Sequence, residues 1–367
     1  MTHLSARTMR ARSIIADAGL GALAFVPGPN FAYLTGVHLH LMERTTLFVL
    51  TREGRRLAVM PSLERQKWAA AMPEAETFYW NDAEGPSNAI AALAKAVGMD
   101  VPLGVEGLRM RAAEYFALRR HWDAEAILDA DPALTDLRLL KDAAEISELR
   151  RAIRISETAL AEVHDGGIGG RSEVDIAVRL KSVMLDHGAT GFAFDPIVLS
   201  GGEAANPHGT PSDRVVRPGE VLLIDFGASF GDMHADITRT VFCEHASDEH
   251  ARIYEAVLAA NAAGKAAARP GNTIGDVDAA ASDALSAAGH SELILHKTGH
   301  GLGREVHEAP QVARMNGAPQ KPGMVFTVEP GLYREGEIGI RIEDDILITD
   351  DGYDCLTSYP RELLTFA

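Results

Sequence analysis

Arg217-Pro218-Gly219-Glu220-Val221-Leu222-Leu223-Ile224-Asp225 decides the fold, because its pattern returns as Lys321-Pro322-Gly323-Met324-Val325-Phe326-Thr327-Val328-Glu329. In each stretch a Pro-Gly turn leads into a short apolar segment, which predicts a buried strand. Each segment ends on an acid that stands seven residues after the proline. A repeated turn, strand and acid indicates that one structural unit occurs twice in the chain.

A matching pair of predicted helices precedes the two strands. One runs over 170–188 and the other over 271–289, so both ends are offset by 101 residues. Each helix begins with a hydroxyl residue, Ser172 or Thr273, that is followed three positions later by an aspartate. This spacing is typical of a capped helix start. The repeat therefore predicts two αβ halves related by a pseudo-twofold axis.

The first third of the chain has a different organisation. Helices are expected at 4–18, 89–97 and 111–121, and strands at 22–26, 45–50 and 56–60, which is typical of an α/β domain. A long amphipathic helix is expected from Ala143 to Gly166-Gly167. The sequence thus predicts a two-domain α/β (α+β) protein with an N-terminal domain at 1–135, a linker at 136–145 and a C-terminal domain at 146–367.

The charge balance excludes some classes of partner. The 367 residues include 52 acids against 35 Lys and Arg, a net charge of -17, and such a field repels nucleic acid and anionic membranes. Only Cys243 and Cys355 are present, which favours a reducing compartment. The first 20 residues lack the apolar core of a signal peptide, and no apolar run is long enough to span a bilayer. We expect a soluble cytoplasmic protein.

Four acids occur on apolar, strand-like segments: Asp225, Asp236, Glu329 and Glu343. A buried carboxylate is costly unless it is paired or binds a metal. For a single acid, a salt bridge at a strand end is the simpler explanation. Four acids at matched positions of a repeat would meet near the pseudo-twofold axis and repel one another. Two divalent cations would neutralise four negative charges, so the pattern predicts a two-metal site.

A histidine between glycines supplies a fifth candidate ligand. His300 stands in Thr298-Gly299-His300-Gly301-Leu302-Gly303, where the glycines let the backbone approach closely and the imidazole reach a metal. One histidine with four carboxylates suits Mn, Fe, Co or Zn better than Cu. Of these metals we favour manganese.

These residues resemble the pita-bread metallopeptidases that cleave at proline, the Xaa-Pro dipeptidases (prolidases) and Xaa-Pro aminopeptidases. Six motifs carry the resemblance in family order: Ile224-Asp225-Phe226-Gly227, Asp236-Ile237-Thr238-Arg239-Thr240, Gly299-His300-Gly301-Leu302-Gly303, Val306-His307-Glu308-Ala309-Pro310, Val328-Glu329-Pro330-Gly331 and Arg341-Ile342-Glu343-Asp344. The resemblance implies five metal ligands: Asp225, Asp236, His300, Glu329 and Glu343. It also implies that Asp236 and Glu343 contact both ions. Asn30-Phe31-Ala32-Tyr33-Leu34-Thr35-Gly36 is similar to the N-terminal domain of the creatinase and prolidase group, which methionine aminopeptidases lack.

The same resemblance implies a mechanism. A hydroxide bridging the two ions would attack the carbonyl carbon of an Xaa-Pro bond, and Glu329 would take a proton from the bridging water. His208 and His307 would line the cleft, hold the tetrahedral intermediate and transfer protons without binding metal. Two ordinary loop histidines are the structural alternative. His296 and Arg341 are further candidates for substrate binding. The expected partners are short proline-containing peptides and, in a homodimer, a second copy of the chain.

Two positions depart from the family pattern. Gln311 stands where dipeptidase-like members often carry an arginine that can clamp a free C-terminal carboxylate. Three arginines are candidates to replace it: Arg304, Arg334 and Arg341. No tyrosine stands just before Asp236, so a phenol must be absent or come from elsewhere.

Two other functions stay open beside an Xaa-Pro peptidase. One is a creatinase-like or other small-molecule C–N hydrolase on the same fold, although creatinase lacks the metal ligands and all five positions are filled here. The other is a binding module without activity. Such proteins usually lose ligands, so the full ligand set argues against it.

Overall fold

The computed structural model describes residues 3–367, with side chains from residue 5 onward. The chain forms two compact units, the first ending at Arg138 and the second spanning Leu139–Ala367. This boundary falls inside the segment 136–145 that the sequence suggested as a linker. The domain limits 1–135 and 146–367 themselves stay predictions.

The first unit is built on a mixed six-stranded sheet. Its strands are β1 (Ala22–Phe25), β2 (Leu47–Thr51), β3 (Arg56–Pro61), β4 (Glu76–Trp80), β5 (Leu103–Val105) and β6 (Ile127–Asp129), and its helices are α1 (His3–Asp17), α2 (Pro29–Thr35), α3 (Arg65–Ala71), α4 (Ser87–Val97), α5 (Ala112–Leu118) and α6 (Asp131–Leu134). The strand order is β4-β3-β2-β1-β5-β6.

Both faces of this sheet are covered. Successive side chains of a strand point to opposite faces, so Phe48 and Leu50 join one apolar cluster while Leu47 and Val49 join another. Because both faces of the sheet must be covered, helices alternate with strands along the sequence of this unit. The helix expected at 111–121 is shorter, because the chain turns after Leu118 and the carbonyl of Leu118 accepts from the amide of His121.

The second unit has four long helices around several small sheets. The helices are α7 (Ala143–Asp165), α8 (Glu173–Asp186), α9 (Asp248–Ala267) and α10 (Ile274–Ala287). The strands are β7 (Gly191–Phe192), β8 (Ile197–Ser200), β9 (Val221–Phe226), β10 (Ala228–Phe230), β11 (Met233–His234), β12 (Ile237–Cys243), β13 (Gly299–Gly301), β14 (Glu308–Val312), β15 (Val325–Val328), β16 (Gly331–Arg334), β17 (Ile338–Arg341), β18 (Asp344–Ile348), β19 (Tyr353–Cys355) and β20 (Thr365–Phe366).

The predicted repeat is present in the second unit. The amide of Ser172 donates to the Asp175 carboxylate at the start of α8, and the amide of Thr273 does the same to Asp276 at the start of α10. Each capping residue also forms an isolated antiparallel β-bridge with the loop before the Pro-Gly turn of its half, Ser172 with Val215 and Thr273 with Pro319. The two turn glycines, at 219 and 323, have φ of 81° and 90°, a region that favours glycine. The predicted fold class, including the pseudo-twofold αβ repeat, is confirmed.

Two sheets position the candidate site. One has the order β20-β12-β9-β8 and the other β14-β13-β15-β18-β19. The apolar segment on which the sequence placed Glu343 is not one continuous strand, because β17 ends at Arg341 and β18 begins at Asp344. Arg239 lies at this break, where its guanidinium donates to the Glu343 carbonyl and to the Asp344 carboxylate. The break places Glu343 between two sheets rather than within one.

Two further features bear on the sequence predictions. No helix within residues 3–367 is both long and apolar enough to cross a membrane. Cys243 is buried and Cys355 is half-buried, and both are free thiols.

Candidate metal centre

Strand ends of the second unit bring the five predicted ligands to one cavity of about 590 Å³. Asp225 lies near the end of β9, Asp236 just before β12, His300 in β13, Glu329 just after β15, and Glu343 between β17 and β18. All five line the cavity. The acids that the sequence placed at equivalent points of the repeat therefore converge, as the repeat implied.

The candidate ligand atoms form overlapping groups. Asp225, Asp236 and Glu343 form one group and His300, Glu329 and Glu343 another, with the ligand atoms of each group within 4.8 Å of one another. Nε2 of His300 lies 3.3 Å from Oε1 of Glu329 and 3.6 Å from Oδ2 of Asp236. Glu343 belongs to both groups and therefore links them.

The glycines around His300 allow the close packing that the sequence indicated. A Cβ on Gly299 would lie 2.1 Å from the carbonyl oxygen of Thr327, and one on Gly301 would lie 2.0 Å from that of Ala309. Nδ1 of His300 is 3.2 Å from the Gly301 carbonyl oxygen. With the proton on Nδ1, the lone pair of Nε2 is directed at the carboxylates, as a metal ligand requires.

Hydroxyl groups orient two of the carboxylates. Thr238 donates its hydroxyl to Oε2 of Glu343 at 2.6 Å, and Thr327 donates its hydroxyl to Oε1 of Glu329 at 3.3 Å. Thr238 follows Asp236 by two positions, so strand alternation places both on the same face. Such supporting contacts restrict the carboxylate rotamers and favour ligation.

The electrostatics of the cluster fit divalent cations. Burial raises the pKa of Asp236 and of Glu343 well above the ordinary range, and neighbouring carboxylates raise both further. Burial also raises the pKa of Glu329 to about 7. Oδ1 of Asp225 and Oδ1 of Asp236 are buried without a hydrogen-bond partner. Crowded acids with unpartnered oxygens, beside a neutral imidazole, are the donor set that divalent ions of the Mn, Fe, Co and Zn type accept.

A buried arginine supports the cluster from one side. Arg341 binds the Asp225 carboxylate, and it donates to the hydroxyl of Thr238 at 3.0 Å and to that of Tyr333 at 2.8 Å. The Tyr333 hydroxyl is also 2.8 Å from Nε2 of His296. A phenol is thus present in the site although none precedes Asp236 in the sequence. Arg341 was expected to contact substrate. In the structure all three of its guanidinium nitrogens bind protein groups, and a direct contact with substrate stays a prediction.

His296 lines the cavity but is held by the protein on both ring nitrogens. Nδ1 lies 2.7 Å from the Lys297 carbonyl oxygen, and Nε2 faces the Tyr333 hydroxyl. Burial lowers the pKa of His296 to about 4. The ring is therefore neutral at pH 7, and its direct contact with substrate stays a prediction.

His208 and His307 both line the cavity and are exposed. The ring of His307 lies 3.8 Å from that of His300, centroid to centroid. Burial lowers the pKa of His307, with the charge of Lys297 as the next cause. His307 also falls within a third group of close ligand atoms, with Asp236 and His300. Its assignment as a proton donor rather than a ligand stays a prediction.

Two of the three candidate arginines do not reach the cavity. Arg304 forms ion pairs with Glu145 at 3.0 Å and Asp232 at 2.5 Å. Arg334 forms ion pairs with Glu249 and Glu337, both at 2.8 Å. Neither is among the described residues that line the cavity.

Sequence reasoning missed three residues near the site: Tyr333, Asp345 and Lys297. The amide of Asp236 donates to Oδ2 of Asp345 at 3.3 Å, and Asp345 is fully buried. The run Glu343-Asp344-Asp345 inside an apolar segment was an available signal for Asp345. Tyr333 had no comparable signal, because only the tertiary fold brings its hydroxyl to Arg341 and His296. Lys297 stands beside His296 in the sequence, but a lysine in a loop carries no signal of its own.

Comparisons with known proteins give a consistent result. A family model described as metallopeptidase family M24 matches residues 147–350, and one described as creatinase/prolidase N-terminal domain matches residues 7–140. The chain is 35% identical over 362 residues to the probable dipeptidase PepE of Mycobacterium tuberculosis, covering 98% of this chain and 95% of that protein.

Solved structures of proteins named prolidase or Xaa-Pro dipeptidase align with nearly the whole chain. The prolidase from Thermococcus sibiricus has a TM-score of 0.92 and 32% identity, with 100% of both chains covered. The Xaa-Pro dipeptidase from Bacillus anthracis has a TM-score of 0.90 and 30% identity, covering 99% of this chain and 100% of that one.

Proposed function

Because the chain belongs to metallopeptidase family M24, we propose that it is a two-metal exopeptidase that hydrolyses the Xaa-Pro bond of dipeptides or short peptides. The predicted family and enzyme class are confirmed by the family match, and the relatives are dipeptidases and prolidases. The observation that carries the proposal is the convergence of four carboxylates and His300 in one cavity, with two exposed histidines on its wall.

The five-residue cluster is assigned to two divalent ions, with manganese favoured. Asp225 would serve one ion, and His300 and Glu329 the other. Asp236 and Glu343 would contact both, in keeping with the overlapping groups of ligand atoms, in which Asp236 lies with Asp225 and also with His300. When bound, the ions lower the pKa of water and polarise a carbonyl group. Glu329, whose carboxylate lies 3.3 Å from Nε2 of His300, would accept a proton from the water that the ions activate.

The two exposed histidines serve the charge that develops during hydrolysis. An imidazole N–H on His307 or His208 can donate to the oxygen of a tetrahedral intermediate, and a protonated ring can deliver a proton to the leaving proline nitrogen. Both rings line the cavity, and neither is buried. They can therefore contact a substrate without displacing the carboxylate cluster.

The names of the relatives and the size of the cavity support a short peptide substrate. A cavity of about 590 Å³ lies in the range of small-ligand sites. The relatives named prolidase and Xaa-Pro dipeptidase are at least 30% identical to the chain over nearly its whole length. The imide bond before proline has no N–H, and attack driven by metal charge does not require one.

Peptide hydrolysis with defined metals tests the proposal. The protein is dialysed against a chelator, reloaded with Mn, Co or Zn, and assayed on Xaa-Pro dipeptides, Xaa-Pro-Yaa tripeptides and matched Xaa-Ala dipeptides. We expect turnover of the proline peptides only with added metal. Hydrolysis of creatine or another small C–N substrate, without turnover of any proline peptide, would favour the alternative function.

A homodimeric state and a cytoplasmic location are parts of the same proposal. The first is checked by sedimentation equilibrium of the metal-loaded protein. The second is checked by fractionation of the native host.

A further inference from the structure

Two side chains among the described cavity-lining residues carry a fixed positive charge, Arg341 and Lys297. Arg341 is 3% exposed, and its guanidinium binds Asp225, Thr238 and Tyr333. Its charge is committed to the carboxylate cluster. Lys297 is exposed, so its ammonium is the cation that an anionic group entering the cavity meets first.

The backbone that carries Lys297 is firmly held. The amide of Thr298 donates to Oδ1 of Asp278 at 2.7 Å, and the amide of Arg314 donates to Oδ2 of the same carboxylate at 3.0 Å. The carbonyl of Lys297 accepts from the His296 ring at 2.7 Å. The Cα of Lys297 is therefore fixed beside the cavity, while its side chain is free to adjust its reach.

The ammonium of Lys297 contacts the side-chain oxygen of Gln311. Gln311 is exposed and pairs with His300 across β13 and β14. Opposite residues of an antiparallel pair lie side by side on one face. The ammonium thus lies next to the candidate metal ligand His300, on the side of the cavity where the sequence has Gln311 in place of an arginine.

We propose that the Lys297 ammonium, with the Gln311 amide beside it, binds the free C-terminal carboxylate of the substrate and so selects dipeptides. A carboxylate is a stronger partner for an ammonium than the neutral amide oxygen that it now contacts. Once displaced, Gln311 can turn its amide N–H to the same carboxylate. An ammonium is a compact charge rather than a planar fork, so it tolerates more than one approach angle. The assignment rests on the proposed function for the identity of the substrate.

A matched pair of substrates tests the assignment, Ala-Pro and its C-terminal amide. With the Mn-loaded wild-type protein we expect kcat/KM to be about 10- to 100-fold higher for the acid, mostly through KM, since hydrogen bonds to charged groups have that value. Lys297→Met should abolish the preference by lowering kcat/KM for the acid alone. Lys297→Arg should keep it, and Gln311→Arg in the Lys297→Met background should restore it.

Lys321→Met is the matched control, because Lys321 is an exposed lysine of the same unit that is not among the described cavity-lining residues. It should leave both substrates unchanged. An equal loss of both substrates in Lys297→Met would mean that Lys297 supports the site structurally, and the assignment would be wrong.

Calorimetric binding of the products separates this inference from the proposed function. Proline and prolinamide differ in the carboxylate and are not hydrolysed. Tighter binding of proline than of prolinamide, lost in Lys297→Met, would support the carboxylate site even if the wild-type protein cleaved no Xaa-Pro peptide. Equal binding of the two by the wild-type protein would overturn it even if peptide turnover were observed.

Discussion

Replacing Glu329 with glutamine is expected to stabilise the metal-free protein above pH 7 while weakening metal binding. In the folded protein burial raises the pKa of Glu329 from 4.5 to about 7, opposed by the charge of Arg341 and increased by that of Asp225. The carboxylate is therefore held in a place that disfavours its charge. Glutamine keeps the shape and removes the charge.

The size of the effect follows from linkage between ionisation and folding. A carboxyl pKa raised from 4.5 to about 7 corresponds to up to about 3 kcal/mol, an upper value because the side chain of Glu329 is 15% exposed. A group whose pKa is raised by folding stabilises fully below its unfolded pKa, and this contribution is lost as the pH rises through the folded pKa. The gain from Glu329→Gln should thus be near zero at pH 4.5 and largest at pH 8.

Urea unfolding of the chelator-treated protein, followed by far-UV circular dichroism, measures this difference. The three tryptophans, Trp68, Trp80 and Trp122, all lie in the first unit. Their fluorescence therefore provides an internal control, and we expect it to report no direct effect of the substitution. Mn²⁺ at about 1,000 times its Kd should reverse the order of stability, because it adds about 4.1 kcal/mol to the form that binds it, which exceeds the gain from the substitution.

Two results would refute this reasoning. Glu329→Gln could lower the stability of the metal-free protein at pH 8, which would mean that the carboxylate is well solvated or paired. Alternatively, the gain could be equal at pH 4.5 and pH 8, which would separate it from ionisation. Either result would also weaken the case that the four acids form a cluster that requires metal.

Three further predictions follow from the site and one buried histidine. Glu343→Gln should abolish metal binding and activity while circular dichroism shows the fold intact; wild-type turnover would show that Glu343 is no ligand. His208→Ala and His307→Ala should keep their metal, measured by elemental analysis, and lose about 10²–10⁴ in kcat; an emptied metal site would make that histidine a ligand. Burial lowers the pKa of His164 to about 4, so the protein should lose up to about 3 kcal/mol as the pH falls from 6.5 to 4. His164→Phe should reduce that acid loss relative to wild type in unfolding titrations, although it removes the contact with the Tyr359 hydroxyl.

The internal repeat could be predicted from the sequence, but the path of the chain between its strands could not. The capping pairs at Ser172 and Thr273 and the two Pro-Gly turns are local signals, and the structure contains all of them. The break at Glu343 was not predicted. It depends on the guanidinium of Arg239, more than 100 positions away, which binds the Glu343 carbonyl. Contacts of this separation have no local pattern.

The same distinction applies to the site. The five candidate ligands could be selected from acids on apolar strands and a histidine between glycines, because each violates a local expectation. Lys297 violates none, since a lysine in a loop is usually solvated. Lys297 becomes a candidate for binding substrate only from the structure, which places its ammonium beside Gln311 and shows that Arg341 is bound by protein groups.

Three consecutive acids, at positions 343–345, lie in different surroundings, and their pKa values are shifted in opposite directions. Asp344 points to a cluster of cations: Arg239, Lys265 and Arg361. Burial alone would raise the pKa of Asp344, but these cations hold it well below its usual range. Its neighbours Glu343 and Asp345 have raised pKa values, chiefly through burial. Side-chain alternation along β18 explains the division between Asp344 and Asp345, and the break before β18 places the Glu343 side chain at the cavity. The charge left uncompensated on the Glu343 side faces the cavity, where divalent ions can neutralise it.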